Sequence, residues 1–565
     1  MSDKAGHEAQ PEPSVPSAPV APSAPAREKV STIGRASALL ASGTFVSRIL
    51  GFLSALLLAH TLGIHSGAAD TYSIANQLPK SVYAIVAGGV LGAVIVPQIV
   101  RAALHKDGGQ KFINRLVTLG IVAFLTVTAI ATICAPLLVR LYTQPSENFG
   151  PAEFALATAF AYWCLPQILF YALYSLLGEV LNARGKFGPF TWAPVANNVV
   201  MLTGLIVFQF LFGGVSSLAP EAWTDQMVVV LAGSATLGIA VQAALLAYFW
   251  HRAGLRYRPE FRWRGVGLGA AGKAASWTFG MILVTQVGAV VEINVATLAT
   301  GESSVFAMST AWLIFMLPHS VIAVSIGMAY FTRMSGHARD GDLTSMRDDV
   351  SSSMRSILML LMFAAIGLMV IAYPFSALFG STYDEISSLA ILLIVYLVGL
   401  VPFSIMYVLQ RVFYSFEDTR TPFVLQSFQV LLFIGGAIVV SSFPVDLIAI
   451  GLAGAISLAG IIQTGVALIV VRRKVPGFAV IPILRRALLF LAAMIPAAVA
   501  GFGILLLLGG FSEGSFVVSG FASGLVSIAL AGTGMLVVYS AVLGITRNAE
   551  FFAFARPIMA RLTRR

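Results

Sequence analysis

Charge is scarce in this chain of 565 residues, of which only 11% are Asp, Glu, Lys or Arg. Soluble domains carry about a quarter, so a water-exposed surface over the whole molecule is excluded. Cysteine is nearly absent: Cys134 and Cys164 both fall inside apolar runs, where a free thiol behaves as a small apolar group. No disulfide framework and no cysteine metal site is expected. The chain contains no Walker loop, no HExxH and no GxSxG, the motifs that would point to nucleotide, metalloprotease or serine hydrolase chemistry. Its acidic residues are scattered rather than clustered beside a loop, as a lipid-linked glycosyltransferase would need. The expectation is therefore a protein that is not an enzyme and that holds no metal and no cofactor. A net charge of +10 does not imply nucleic acid, because there is no soluble domain to carry a basic face.

Apolar residues fill the space that charge leaves, at 58% of the chain. Runs of 18 or more recur from residue 36 to about 546, each long enough to cross a hydrocarbon core of about 30 Å. The spans read as 36–62, 68–100, 113–140, 152–181, 189–213, 226–251, 274–300, 304–331, 354–380, 386–412, 422–441, 445–471, 483–509 and 516–545. The fold class is an all-α polytopic membrane protein of about fourteen transmembrane helices. Residues 1–30, rich in Pro, Ala, Ser and Glu, cannot bury a core and read as a disordered tail. With no apolar h-region near residue 1, the first span is expected to act as the insertion signal.

Lys and Arg are retained on the cytoplasmic side of short loops. With the N-terminus inside, alternate loops hold Arg101 and Lys106, Arg184 and Lys186, Arg252–Arg264, Arg333–Arg355, Arg420, Arg472–Arg486 and the tail from Arg547. The intervening loops hold Glu147, Glu221, Asp225, Glu302, Asp384, Asp446 and Glu513. Both termini are then cytoplasmic, which requires an even number of spans.

An internal repeat appears at an offset of about 238 residues: Val46–Arg48 answers Val284–Gln286, Leu78–Val82 answers Leu317–Val321, and Pro136 answers Pro374. The expected organisation is a tail at 1–30, two pseudo-symmetric six-helix halves at 31–251 and 252–472, and two extra helices with a basic tail at 473–565. Parallel repeats of this kind suit alternating access.

A cation at the bilayer centre costs about 2.5–3.5 kcal/mol, so one found there faces a cavity or a partner. Arg48 lies thirteen residues beyond Arg35 and Lys80 ten beyond Asp70, roughly 20 and 15 Å along antiparallel helices. Polar and small residues share their faces at helical spacing: Thr44, Ser47, Gly51 and Ala55 with Arg48, and Asp70, Ser73, Gln77 and Ala84 with Lys80. The plain alternative is tight helix packing, or pairing of both cations with carboxylates inside the bundle. One carboxylate, Asp70, serves two cations, so a cavity for an anion is the favoured reading. In the repeat, Arg48 is answered by neutral Gln286 and Lys80 by His319, which places the anion site mainly in the first half. A lone histidine such as His319 is more often a hydrogen-bonded core residue. Glu292 is a lone carboxylate within the second half, on a face with Thr285 and Gly288. It is a candidate for coupling to a proton or sodium ion, against a salt bridge to Arg48 or snorkelling to the outer surface as the bland alternatives. The membrane potential is a further candidate drive.

Five segments in order carry a family resemblance: GTFVSRILGF at 43–52, ADTYSIANQLPKSV at 69–82, VPQIVRA at 96–102, LNARGKFGPFTWAPVANN at 181–198 and FYSFEDTRTP at 413–422. They resemble the MurJ (MviN) lipid II flippases, within the superfamily of multidrug and polysaccharide exporters. The resemblance implies a bacterial inner-membrane protein that flips undecaprenyl-diphosphate-linked peptidoglycan precursor for cell-wall biogenesis and cell shape. Its partners would be lipid II, membrane lipids and cell-wall synthesis proteins. The family's helix-one arginine falls on Arg48 and its helix-two acid on Asp70. Ser54 and Tyr83 stand where the family carries further arginines, with Lys80 one turn from Tyr83 as a substitute, and Trp312 and Leu313 replace an Asp-Arg pair. The expected substrate contacts are Arg48, Lys80, Asp70, Ser47, Gln77 and Tyr83. Rival readings are another exporter of the superfamily, for oligosaccharide lipids or drugs, and a scaffold that recruits cell-wall enzymes without transporting. A cavity for cationic drugs would be acidic rather than basic.

Overall fold

The computed structural model describes residues 26–86, 110–261 and 268–562, and side chains over 42–86, 110–261 and 276–556. The tail up to residue 25, the far part of the second span with Arg101 and Lys106, and Arg264 lie outside the described residues. The described residues are helical, with no strand.

The crossings are α1 (Ala26–Leu62), α2 (Gly67–Val86), α3 (Gln110–Ile133, then Ala135–Tyr142), α4 (Pro151–Cys164, then Gln167–Ala183), α5 (Phe187–Phe212), α6 (Asp225–Arg252) and α7 (Leu268–Ala296). They continue as α8 (Val305–Pro318, a π turn at His319–Ala323, then Val324–Asp340), α9 (Leu343–Val370, then Ala372–Ser376) and α10 (Tyr383–Val398, then Leu400–Ser415). Last come α11 (Arg420–Val440), α12 (Val445–Lys474), α13 (Val480–Leu507), α14 (Phe521–Ile545) and a final helix α15 (Ala549–Leu562).

Thirteen helices among the described residues are long and apolar enough to span a bilayer, and they fall on thirteen of the fourteen expected spans. The other is α2, whose 20 described residues include Asp70, Gln77, Lys80 and an internal Pro79. Its polarity lowers it below the rest. Helix α1 runs from Ala26, and the rest of the expected tail lies outside the described residues. Beyond Pro25 the proline stops, and the segment AREK consists of strong helix formers.

Breaks follow local chemistry. Pro166, lacking an amide hydrogen, interrupts α4, and Pro318 immediately precedes the π turn of α8. Helix starts are capped by side chains: Thr224 accepts from the Met227 amide, Asp342 from Ser345 and Thr382 from Glu385.

Small residues set the closest approaches. A Cβ added at Gly238 on α6 would meet the Asn197 Oδ1 of α5 at 2.3 Å, so the two helices touch there only because glycine has no side chain. Around this contact α1 packs on α5, α5 on α6, and α2 and α6 on α4. A matching set follows later in the chain: α7 packs on α11, α11 on α12, and α8 and α12 on α10. Helix α13 packs on α9 and α14. Between the two sets, α2 meets α7 and α8. Outward-facing Phe210 and Leu507 are 88% and 89% exposed, which suits lipid and not water.

At the end carrying the basic loops, ion pairs tie helix ends together. Glu550 of α15 meets Arg355 at 3.1 Å and Arg486 at 3.4 Å. In the α10–α11 turn, Asp418 pairs with Lys474 and accepts from the Thr421 amide at 3.0 Å and hydroxyl at 2.7 Å. Partial burial raises the Asp418 carboxyl, but the Lys474 and Thr421 contacts outweigh it and hold it below its ordinary value. A depressed native value means stability that is complete above the unfolded carboxylate pKa of about 3.9 and lost as pH falls through the native one. Asp418→Asn should therefore melt at lower temperature than wild type at pH 7, with the gap closing below pH 4. A gap that stays constant through that range would contradict the pairing.

Candidate functional site

Between the two helix sets lies a cavity of 350 Å³, bounded by α1, α2, α7, α8, α10 and α12. Helix α2 supplies its polar wall, because Ser73, Asn76, Gln77 and Lys80 recur at three- and four-residue spacing on one face. Lys80 is exposed, and its side chain lines this space. Opposite stand Glu292, Trp312 and Tyr396.

A second cavity of 440 Å³ lies within the later helix set. It is lined by Thr285 and by Gln426, Gln429, Ser457 and Gln463. Its amides are partly linked to one another, Gln426 donating to Gln429 at 3.0 Å and Gln463 donating to the Leu425 carbonyl at 3.0 Å. Glu292, Trp312 and Tyr396 line both cavities. Glu292 and Tyr396 therefore form part of the partition between the two cavities.

The expected substrate residues separate into two groups. Lys80 and Gln77 line the first cavity, together with Glu292. Arg48 is exposed and does not line it. Its guanidinium donates to the Ser320 hydroxyl in the π turn of α8, reaching across the two helix sets. Among the described residues no ion pair links Arg48, Lys80 and Glu292, so the salt bridge weighed for Glu292 is not formed.

Three residues are placed away from the cavity. Ser47 faces α5, where Asn198 donates to its carbonyl at 2.7 Å and its hydroxyl at 3.1 Å. Tyr83 turns to α4, with its hydroxyl against Ser175 and its ring 5.6 Å from Tyr171. Asp70 is fully buried and accepts the Phe306 amide at 2.8 Å and the Gly301 amide at 3.2 Å. It sits at the positive N-terminal end of α8, the favourable place for a carboxylate. In the second set, His319 is 3% exposed, bonds Ser404 at 2.9 Å and packs on Phe403, as a core histidine does. Thr285 donates to its own helix at Met281 while lining the second cavity. Gln286 has a buried Oε1 with no partner among the described residues.

Sequence reasoning missed Asn76, Tyr396 and the glutamines of α11 and α12. The available signal was the same one that found Glu292, a lone polar side chain in an apolar span.

At the end opposite the basic loops, Asp70 is one of several bonds along a seam. His65 Nε2 meets the hydroxyls of Ser303 at 3.1 Å and Ser388 at 2.7 Å. The Ile64 amide donates to Glu385 at 2.9 Å, and Asn148 donates to the Leu298 carbonyl at 2.8 Å. These bonds join the two helix sets at that end.

Comparison with known proteins gives a consistent answer. Residues 58–527 match the family model described as lipid II flippase MurJ. The chain is 27% identical over 399 residues to a probable lipid II flippase MurJ of Haemophilus influenzae, covering 67% of this chain and 75% of that one. It is 26% identical over 480 residues to the corresponding protein of Bdellovibrio bacteriovorus, covering 83% and 87%. Its fold is similar to a solved lipid II flippase MurJ in an inward closed conformation, with TM-score 0.67 at 20% identity over 90% of this chain and 100% of that one. An inward-facing multidrug MATE transporter shares the fold at TM-score 0.60 and 15% identity, over 76% and 95%.

The seam gives a direct expectation. Asp70→Ala leaves two amides at the start of α8 without their acceptor, at a cost of about 1–3 kcal/mol. The Gln144 backbone amide donates to the Thr297 hydroxyl across the same seam at 3.2 Å; in a background with Cys134→Ala and Cys164→Ala, a Gln144→Cys and Thr297→Cys pair should cross-link, and adding Asp70→Ala should lower the yield several-fold. An undiminished yield would remove Asp70 from the seam.

Proposed function

The chain belongs to the lipid II flippase MurJ family, and from that premise we propose that Arg48 and Lys80 hold the diphosphate of lipid II as it crosses the bilayer. The protein is a multi-pass membrane transporter that flips lipid II for peptidoglycan and cell-wall synthesis. The observation that carries the binding role is Lys80, a cation lining the central cavity that forms no ion pair with a carboxylate among the described residues. Arg48 lies on the first helix two turns before Ala55, which lines the cavity, and its guanidinium donates to the neutral Ser320 hydroxyl. A planar guanidinium can grip phosphate oxygens at two points, while an ammonium acts as a point charge.

In this reading the halves at 31–251 and 252–472 rock about the cavity, the seam at Asp70 and His65 opening when the basic end closes. The bias of Lys and Arg puts the basic end and both termini in the cytoplasm. No catalytic step is involved. Glu292, placed beside Tyr396 between the two cavities, exchanges a proton or sodium ion and so couples its cycle to a gradient. Proteins of cell-wall synthesis are the expected partners on the membrane. Export of cationic drugs fits less well, because Lys80 faces the cavity where acid would be needed. A scaffold without transport would tolerate loss of both cations.

Each charge-assisted hydrogen bond contributes about 1.5–3 kcal/mol, so Lys80→Ala should weaken lipid II binding roughly ten- to a hundredfold. Lys80→Arg should be tolerated, Arg48→Lys should impair growth of cells that depend on this flippase, and Arg48→Ala should abolish it. A normally inserted Arg48→Ala protein that still supports growth would sink the diphosphate clamp. In proteoliposomes, Glu292→Gln should remove the response of flipping to a proton or sodium gradient, and an unchanged response would exclude Glu292 from coupling.

A further inference from the structure

Away from the central cavity, α3, α4 and α6 enclose a pocket of 630 Å³ at the basic end. Its size falls within the range of about 300–1,000 Å³ typical of sites for small ligands. The floor is apolar, formed by Val117, Ile121, Phe170, Leu173, Leu177 and a row of alanines on α6. The mouth is basic, with His251, Arg256 and Arg258, all exposed.

The mouth is held in place. After α6 the chain folds back as a strap whose Leu255 is 2% exposed. Tyr257 bonds the Thr118 hydroxyl at 2.9 Å, the Glu260 amide donates to the same hydroxyl at 3.0 Å, and Gln110 donates to the Arg256 carbonyl at 3.0 Å. These contacts fix the backbone under Arg256 and Arg258 while leaving both guanidinium groups unbonded to any carboxylate among the described residues.

A second, independent sign of a ligand is Trp250. Its ring lines the pocket and is 3% exposed, yet its Nε1 hydrogen has no acceptor among the described residues. A buried indole N–H usually finds a partner, and leaving one unmet costs about 1–3 kcal/mol. An apolar floor, an unmet donor in the wall and two free guanidinium groups at the rim ask for one molecule with a hydrocarbon chain, an acceptor oxygen and an anionic head.

We propose that this pocket binds an anionic glycerophospholipid: an acyl chain on the α3, α4 and α6 floor, an ester or phosphate oxygen on Trp250 Nε1, and the phosphate between Arg256 and Arg258. The site is separate from the Lys80 cavity and shares no lining residue with it. Arg rather than Lys at both rim positions suits a phosphate, since a guanidinium can bond two of its oxygens. A membrane lipid is favoured over a soluble phosphate ester because the floor offers hydrocarbon and no polar group.

The test is native mass spectrometry of the delipidated full chain titrated with phosphatidylglycerol, phosphatidylcholine or undecaprenyl phosphate. Wild type should retain one phosphatidylglycerol at least tenfold more tightly than phosphatidylcholine. The variant Arg256→Ala with Arg258→Ala should lose that preference, and Trp250→Phe, which keeps the packing and removes only the donor, should weaken retention several-fold. Arg472→Ala with Arg473→Ala removes the same charge from exposed positions on α12 and should leave retention unchanged. Equal retention of phosphatidylcholine, displacement of phosphatidylglycerol by undecaprenyl phosphate, or wild-type retention by the Arg256 and Arg258 variant would each overturn the site. The Arg variant decides the matter even if Trp250→Phe fails to fold, because both arginines are exposed.

Discussion

An ionised side chain carried into hydrocarbon has no water to return to, at a cost of about 2.5–3.5 kcal/mol at a helix centre, and the arrangement of this bundle follows from how each such group is accommodated. Asp70 is met by the amides at the start of α8, which forces α2 of the first helix set against α8 of the second. Glu292 lies with Tyr396 in the partition between the two cavities. Lys80 lines the central cavity.

The same reasoning explains how the seam between the two helix sets can open. The seam is held by Asp70, by Glu385 on the Ile64 amide, and by His65 on two serine hydroxyls. A hydrogen bond contributes about 0.5–1.5 kcal/mol net, since water replaces the lost partner on opening. Such a seam is firm enough to exclude leakage and shallow enough for differential binding of a substrate to shift the balance between two states. A seam of buried apolar side chains would not be re-solvated and would hold the halves shut.

Much of this was legible in the sequence. The apolar runs announced thirteen of the spans, because hydrophobic length is a property of the chain alone. The π turn at His319 and the breaks at Pro166 and Gly399 were not announced, since they depend on what each helix packs against. The site was legible in part. Lys80, Gln77 and Glu292 were found as polar groups in apolar spans and do line the cavities. Ser47 shares a face with Arg48 but turns to α5, because periodicity gives a face and not the neighbour that covers it, while Tyr83, named from the family resemblance, turns to α4. Asp70 looked like a cavity carboxylate, yet it is consumed by backbone amides more than 230 positions away, a pairing no local pattern reveals.

The central claim is that Arg48 and Lys80 carry lipid II from one leaflet to the other. Its most direct test is to deplete the protein from cells that have no other flippase and determine, with a probe confined to the outer surface, which leaflet holds lipid II. Accumulation in the inner leaflet, with a matching loss from the outer one, is the predicted result. An undiminished outer pool after depletion would contradict the account.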